Sequence, residues 1–143
     1  MRTINRLVIH CAATKASQDI GRDEIDRWHR QRGFSQIGYH YVIRRNGDIE
    51  MGRPPAMAGA HAKGYNHDSI GICLVGGWGG VNNFTPIQFE NLLLLIYGLT
   101  DTYNLDPLDR HQVLGHRDLP DVAKACPSFD LWGWLELADG MEL

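Results

Sequence analysis

The chain has 143 residues, enough for one domain that buries roughly two thirds of its unfolded surface without covalent staples. It is 43% hydrophobic and 22% charged, and its net charge of −3 lacks the basic field expected of a nucleic-acid binder. The opening MRTINRLVIHCAATK carries no apolar run of the secretory kind, and LLLLIYGL (92–99) is too short to span a bilayer, so folding in the cytoplasm without membrane insertion is expected.

RLVIHCA is a short apolar run containing Val8 and Ile9, and predicts a buried strand ending near His10. RDEIDRWHRQRG predicts a helix with Ile25, Trp28 and Arg32 on one face and Gly33 as its stop. YHYVIRRNGDIEMG reads as two β-rich arms around Asn46-Gly47, a hairpin with a type I′ turn. SIGICLVGG (69–77) is a continuous apolar strand of the kind covered on both faces. FTPIQFENLLLLIYGLTDTYNL opens with Thr85 as N-cap, Pro86 at the first helical position and Gln88 completing a capping box. Leu92, Leu95, Ile96 and Leu99 then form the apolar stripe of a long helix. HQVLGH predicts a last strand ending at His116, and SFDLWGWLEL a closing helix weakened by Gly133. Strands and helices alternate with no linker and no repeat. The expected architecture is α/β: a single mixed β-sheet with helices packed on its faces, one domain over residues 1–143.

In open α/β sheets, ligands collect at the carboxyl ends of the strands, where loop side chains project beyond the packed layers. His10 and His116 occupy two such ends, and Cys126 follows His116 by ten residues on an expected return loop. Two imidazoles and a thiolate suit a tetrahedral zinc with its fourth position left for water. Cys126 can equally be a buried thiol or a nucleophile, and spacing alone leaves these readings open, with no HExxH or CxxC signature to decide. Of the seven histidines, His29 falls on a predicted helix surface and His67 and His111 in loops, all read as solvated. Three cysteines cannot all pair within one chain, and Cys11 and Cys73 lie in apolar runs, so both are expected to be reduced core thiols.

Several longer segments occur in a telling order: VIHCAATK, RWHRQRGFSQIGYHYVIRRNGDIEMGR, GAHAKGYNHDSIGICLVGG, FTPIQ and LGHRDLPDVAKACPSFD. Across roughly residues 6–134 this resembles the zinc-dependent N-acetylmuramoyl-L-alanine amidases of type 2, and more particularly the small phage endolysins; peptidoglycan recognition proteins share the likeness more distantly. The resemblance implies one zinc per chain held by His10, His116 and Cys126, catalytic roles for Tyr39 and Lys124, and substrate contacts for His61 and Asn66. It also implies cleavage of the amide between N-acetylmuramic acid and L-alanine in peptidoglycan, with no separate wall-binding domain. Such an enzyme is made in the host cytoplasm, acts on the periplasmic wall after release, and is expected to be a monomer.

The residues support that chemistry on their own terms. In an extended segment residues i and i+2 point the same way, so Lys124 and Cys126 should face one site, where an ammonium can stabilise an oxyanion. The Tyr39 phenol can orient water, assist proton transfer or donate to the oxyanion. His61 and Lys63 are either contacts for acidic muropeptide groups or loop surface. Cys126 as a nucleophile would want a histidine partner and no metal, and two strand-end histidines fit ligand duty better. Two other classes compete with the enzyme: a peptidoglycan-binding protein without catalysis, which the complete donor set disfavours, and a regulator of a phage RNA polymerase, since some phage lysozymes of this kind bind one.

Overall fold

The structure, a computed structural model, describes residues 2–141. Five strands form one sheet in the order β3-β2-β4-β1-β5: β1 Arg6–Cys11, β2 Tyr41–Ile43, β3 Ile49–Met51, β4 Ser69–Leu74 and β5 Val113–Gly115. All neighbours are parallel except the β2–β3 hairpin, so the sheet is mixed, as expected. Helices α1 Arg22–Gln31, α2 Pro86–Tyr103 and α3 Leu131–Met141 complete the fold.

Alternation along the strands sorts the side chains onto two faces. Leu7, Ile9, Ile70, Ile72 and Leu74 face the main core, where Leu92, Ile96 and Leu99 of α2 and Leu131 and Leu135 of α3 meet them. Complete burial of such a side chain contributes about 1.5–3 kcal/mol relative to exposure. On the other face, Val42 and Cys73 pack with Ile25 and Trp28 of α1, and Val8 and Leu114 pack with Ala62 and Leu119. His10 pairs in register with Cys73, which puts its imidazole on this second face. Each of these assignments rests on strand pairing, not on local sequence.

The long helix begins as expected: Thr85 Oγ1 accepts the Gln88 N–H and Gln88 Oε1 accepts the Thr85 N–H. Gly33 ends α1 with φ +96°. The hairpin turn differs from expectation. Only Gly47 of the Asn-Gly pair takes positive φ (+91°), so the turn is not type I′. The Gly47 N–H donates to the Arg44 carbonyl (2.8 Å) and the Arg44 N–H to the Asp48 carbonyl (2.9 Å), a three-residue loop with a glycine bulge. Asn46 stays at negative φ because its Oδ1 accepts the Asp48 N–H at 2.9 Å. On α1, Arg32 is exposed and His29 takes the inward place beside Ile25. β5 ends at Gly115, and His116 opens a short 3-10 turn.

His40, fully buried between β2 and the loop before it, has a fixed tautomer. Its Nδ1 accepts the Gly71 N–H at 3.0 Å, which puts the ring proton on Nε2, between the Met57 carbonyl at 2.8 Å, which accepts it, and the Arg2 guanidinium at 3.0 Å. Burial pushes its pKa down to about 4, with Arg2 and Arg53 adding to the effect and the Met57 carbonyl opposing it. The folded pKa lies below the unfolded value of about 6.5, so the unfolded chain binds more protons between the two and stability rises with pH there. As pH falls from about 6.5 to about 4, His40 should remove on the order of 2–4 kcal/mol of stability. Urea unfolding across that range checks this: His40→Asn, which keeps an acceptor for Gly71, should flatten the slope, and an unchanged slope would exclude His40 as its source.

Candidate active site

His10 is the penultimate residue of β1 and is 1% exposed. Two segments carry the other donors to it. His116 leaves β5 beside it, held by the turn in which Asp118 Oδ2 accepts the Gly115 N–H at 2.8 Å, and the two imidazole centroids lie 4.5 Å apart. The following loop returns Cys126, because the Arg117 N–H donates to the Cys126 carbonyl (2.8 Å) and the Ser128 N–H to the Ala125 carbonyl (2.7 Å). Cys126 Sγ lies 3.8 Å from His10 Nδ1 and accepts the Cys11 N–H at 3.2 Å.

One donor atom from each of His10, His116 and Cys126 falls within 4.8 Å of the other two. A tetrahedral ion with bonds of about 2.0–2.3 Å needs donors about 3.3–3.8 Å apart, a spacing that Cys126 Sγ and His10 Nδ1 already have. Two nitrogens and one sulfur also match zinc in softness. The residues therefore fit a zinc ion with one position open.

Electrostatics agree with this. Burial, and then the nearby His61, His116 and Lys124, push the His10 pKa well below its usual value; burial and then Lys124 lower His116. Neutral imidazoles are the form that binds metal. Cys11 hydrogen-bonds the Cys126 thiol and, with burial, pushes it up. The backbone N–H of Cys11 and any cation in the cluster favour the thiolate instead.

These residues line a cleft of about 300 Å³ together with Tyr39, His61, Lys124, Arg32 and Phe34. Lys124 and Cys126 both reach it, as their i, i+2 spacing predicts, and Lys124 is exposed at its rim. The Tyr39 ring stands 5.0 Å from the His10 ring, and burial, followed by the neighbouring Cys73, raises its pKa well above the usual phenol value. Tyr39 precedes β2, at the amino end of a strand parallel to β4. The site is therefore spread over the α1 face of the sheet, not confined to its carboxyl edge as the strand-end argument anticipated. His61 lines the same cleft with Nδ1 2.8 Å from His10 Nε2. Asn66 lines the adjoining cleft with Lys63, and its Oδ1 accepts the N–H groups of His61 and Ala62, each at 2.9 Å.

Residues 1–129 match the family described as N-acetylmuramoyl-L-alanine amidase. The chain belongs to that family. It is 45% identical over 139 residues to the endolysin of Enterobacteria phage T3, covering 94% of this chain and 87% of that protein. The solved N-acetylmuramoyl-L-alanine amidase LysC from Clostridium intestinale URNW superposes with TM-score 0.81 at 29% identity, covering 97% of this chain and 87% of that one. Drosophila PGRP-LB superposes with TM-score 0.75 at 28% identity, over 93% and 79% of the two chains. The amidase is thus of the phage endolysin kind, an enzyme of peptidoglycan cleavage, and its family is generally zinc-dependent.

Several residues of the amidase site escaped sequence reasoning. His29, expected to be solvated, is 7% exposed; its Nδ1 accepts the Gly38 N–H at 2.8 Å, and its ring lies 5.3 Å from that of Tyr39. It shares a helix face with Ile25 four residues earlier, a spacing that pointed inward. Cys11 is buried as expected, yet its backbone touches the Cys126 sulfur. All three cysteines are free thiols, and His67 and His111 are exposed, as anticipated.

Proposed function

We propose that this amidase hydrolyses the bond between the lactyl group of N-acetylmuramic acid and L-alanine at the cleft between His10 and Lys124, with one zinc held by His10, His116 and Cys126. The observation that carries this reading is the meeting of those three donors with Lys124 and Tyr39 in one cleft. A zinc ion bound there supplies Lewis acidity toward the carbonyl and lowers the pKa of water to about 7.

The chain's own groups do the rest. Lys124, on the rim beside Cys126, directs its ammonium at the negative charge that develops on the carbonyl oxygen. Tyr39 is a protonated phenol at neutral pH and serves as a hydrogen-bond donor to the same oxygen or to the departing amine. Arg32 and Lys63 line the two adjoining clefts and give the acidic stem peptide cationic partners. His29 holds the Gly38 backbone and so sets where Tyr39 stands.

The protein acts as a phage or prophage endolysin, made in the host cytoplasm and active on the wall after release. No helix among the described residues is long and apolar enough to cross a membrane. Digestion of purified peptidoglycan tests the proposal. Each cut should expose one new L-alanine amino terminus and no new reducing sugar end. New reducing ends without alanine termini would make the enzyme a glycosidase and overturn the assignment.

A further inference from the structure

From His10, through His61 at the cleft wall, runs a chain of hydrogen bonds that the proposed reaction leaves unused. His10 Nε2 lies 2.8 Å from His61 Nδ1, His61 Nε2 lies 3.1 Å from Ser69 Oγ, and the Ser69 hydroxyl donates to the Tyr65 carbonyl at 2.7 Å. We propose that His61 is a positioning residue which, through this chain, makes His10 a ligand through Nδ1 with the proton held on Nε2. The inference rests on the metal site proposed above.

The end of the chain sets its sense. A carbonyl oxygen only accepts, so the Ser69 proton points to Tyr65 and Ser69 Oγ is left to accept from His61 Nε2–H. A singly protonated His61 then offers a bare Nδ1, which accepts the Nε2–H of His10. His10 Nδ1 is left with its lone pair free, and this is the nitrogen that lies 3.8 Å from Cys126 Sγ. Reversing any link would set two protons or two lone pairs against each other in a buried place.

The fold holds His61 for this task. The Asn66 side chain caps its loop, and Ser69 is fully buried. Gly71, facing the same side of β4, leaves the space that the ring fills: a Cβ there would stand 2.6 Å from His61 Cγ. His61 thus acts through His10, a different duty from the substrate contact that the family resemblance implies. Partners of this kind orient a ligand ring and raise its basicity, and losing one weakens metal affinity roughly 10–100-fold.

The test measures zinc affinity of the whole protein by competition with a chromophoric chelator, beside long-range proton–nitrogen spectra of the zinc-loaded histidines. Wild type should show His10 protonated at Nε2 and bound through Nδ1. His61→Ala should weaken zinc binding roughly 10–100-fold, and His61→Asn, whose Oδ1 can stand where Nδ1 stood, should recover most of the loss. Ser69→Ala removes the orienting hydroxyl and should leave His61 in mixed tautomers even if His61→Ala proves unstable. His10 bound through Nε2, or His61→Ala with wild-type affinity, would overturn the proposal while leaving the metal site intact. A wild-type protein that binds no zinc would instead overturn the metal site itself.

Discussion

Cys126→Ser is expected to empty the cleft of metal and take amidase turnover to the limit of detection. Cys126 supplies the one anionic donor of the set, and its Sγ already sits 3.8 Å from His10 Nδ1, the spacing of two donors that share a tetrahedral ion. A serine hydroxyl keeps its proton at neutral pH and is a poor substitute for a thiolate. Elemental analysis of protein prepared without chelator should find about one zinc per wild-type chain and roughly none in the variant. Cys11→Ser is the matched control. Its backbone N–H reaches the Cys126 sulfur whatever the side chain, and its thiol, which also hydrogen-bonds Cys126, meets Ser128 Oγ at 3.5 Å, contacts that a hydroxyl can keep. That variant should retain both metal and activity. Zinc at wild-type stoichiometry in Cys126→Ser would remove Cys126 from the ligand set. A wild type that holds no zinc and gains nothing from added zinc would remove the metal centre altogether.

Lys124→Ala should keep zinc and fold yet lose roughly two to three orders of magnitude in turnover, the range for losing one donor to an oxyanion. Lys124 is exposed, so its truncation should move stability by no more than about 0.5 kcal/mol. Tyr39→Phe should likewise keep the metal, with a loss of roughly 10²–10⁴ if the phenol passes a proton. Both variants should still bind intact muropeptide, because groups that act on the transition state affect turnover more than ground-state binding. Steady-state rates set against zinc content separate the outcomes. Near-normal turnover in Lys124→Ala would return the residue to plain solvated surface, and loss of zinc with activity would make its part structural.

What the sequence determined by itself was local or motif-bound. The α2 start follows from Thr85, Pro86 and Gln88, whose bonds close within four residues, and the apolar runs announce β1 as a buried strand and β4 as one covered on both faces. The donors His10, His116 and Cys126 were legible as a chemically matched set, and Lys124 as the neighbour of Cys126 by a two-residue repeat. The tertiary structure alone decided what those residues meet. His10 and Cys126 are 116 positions apart and become neighbours because β5 pairs with β1 and the loop after it returns across the strand end. The spacing of His29 from Ile25 puts it on the inward face of α1, but its partner, the Gly38 N–H, comes from a loop that only the folded chain brings over the helix. Asn46-Gly47 alone points to a type I′ turn, and the Asn46 bond to Asp48 selects a bulged loop in its place. His61 reads as a loop histidine until Gly71, on a different strand, makes room for its ring against His10. Caps and alternation act over a few bonds and are written in short strings of residues, whereas tautomer, burial and ligand geometry depend on contacts that exist only after the strands have paired.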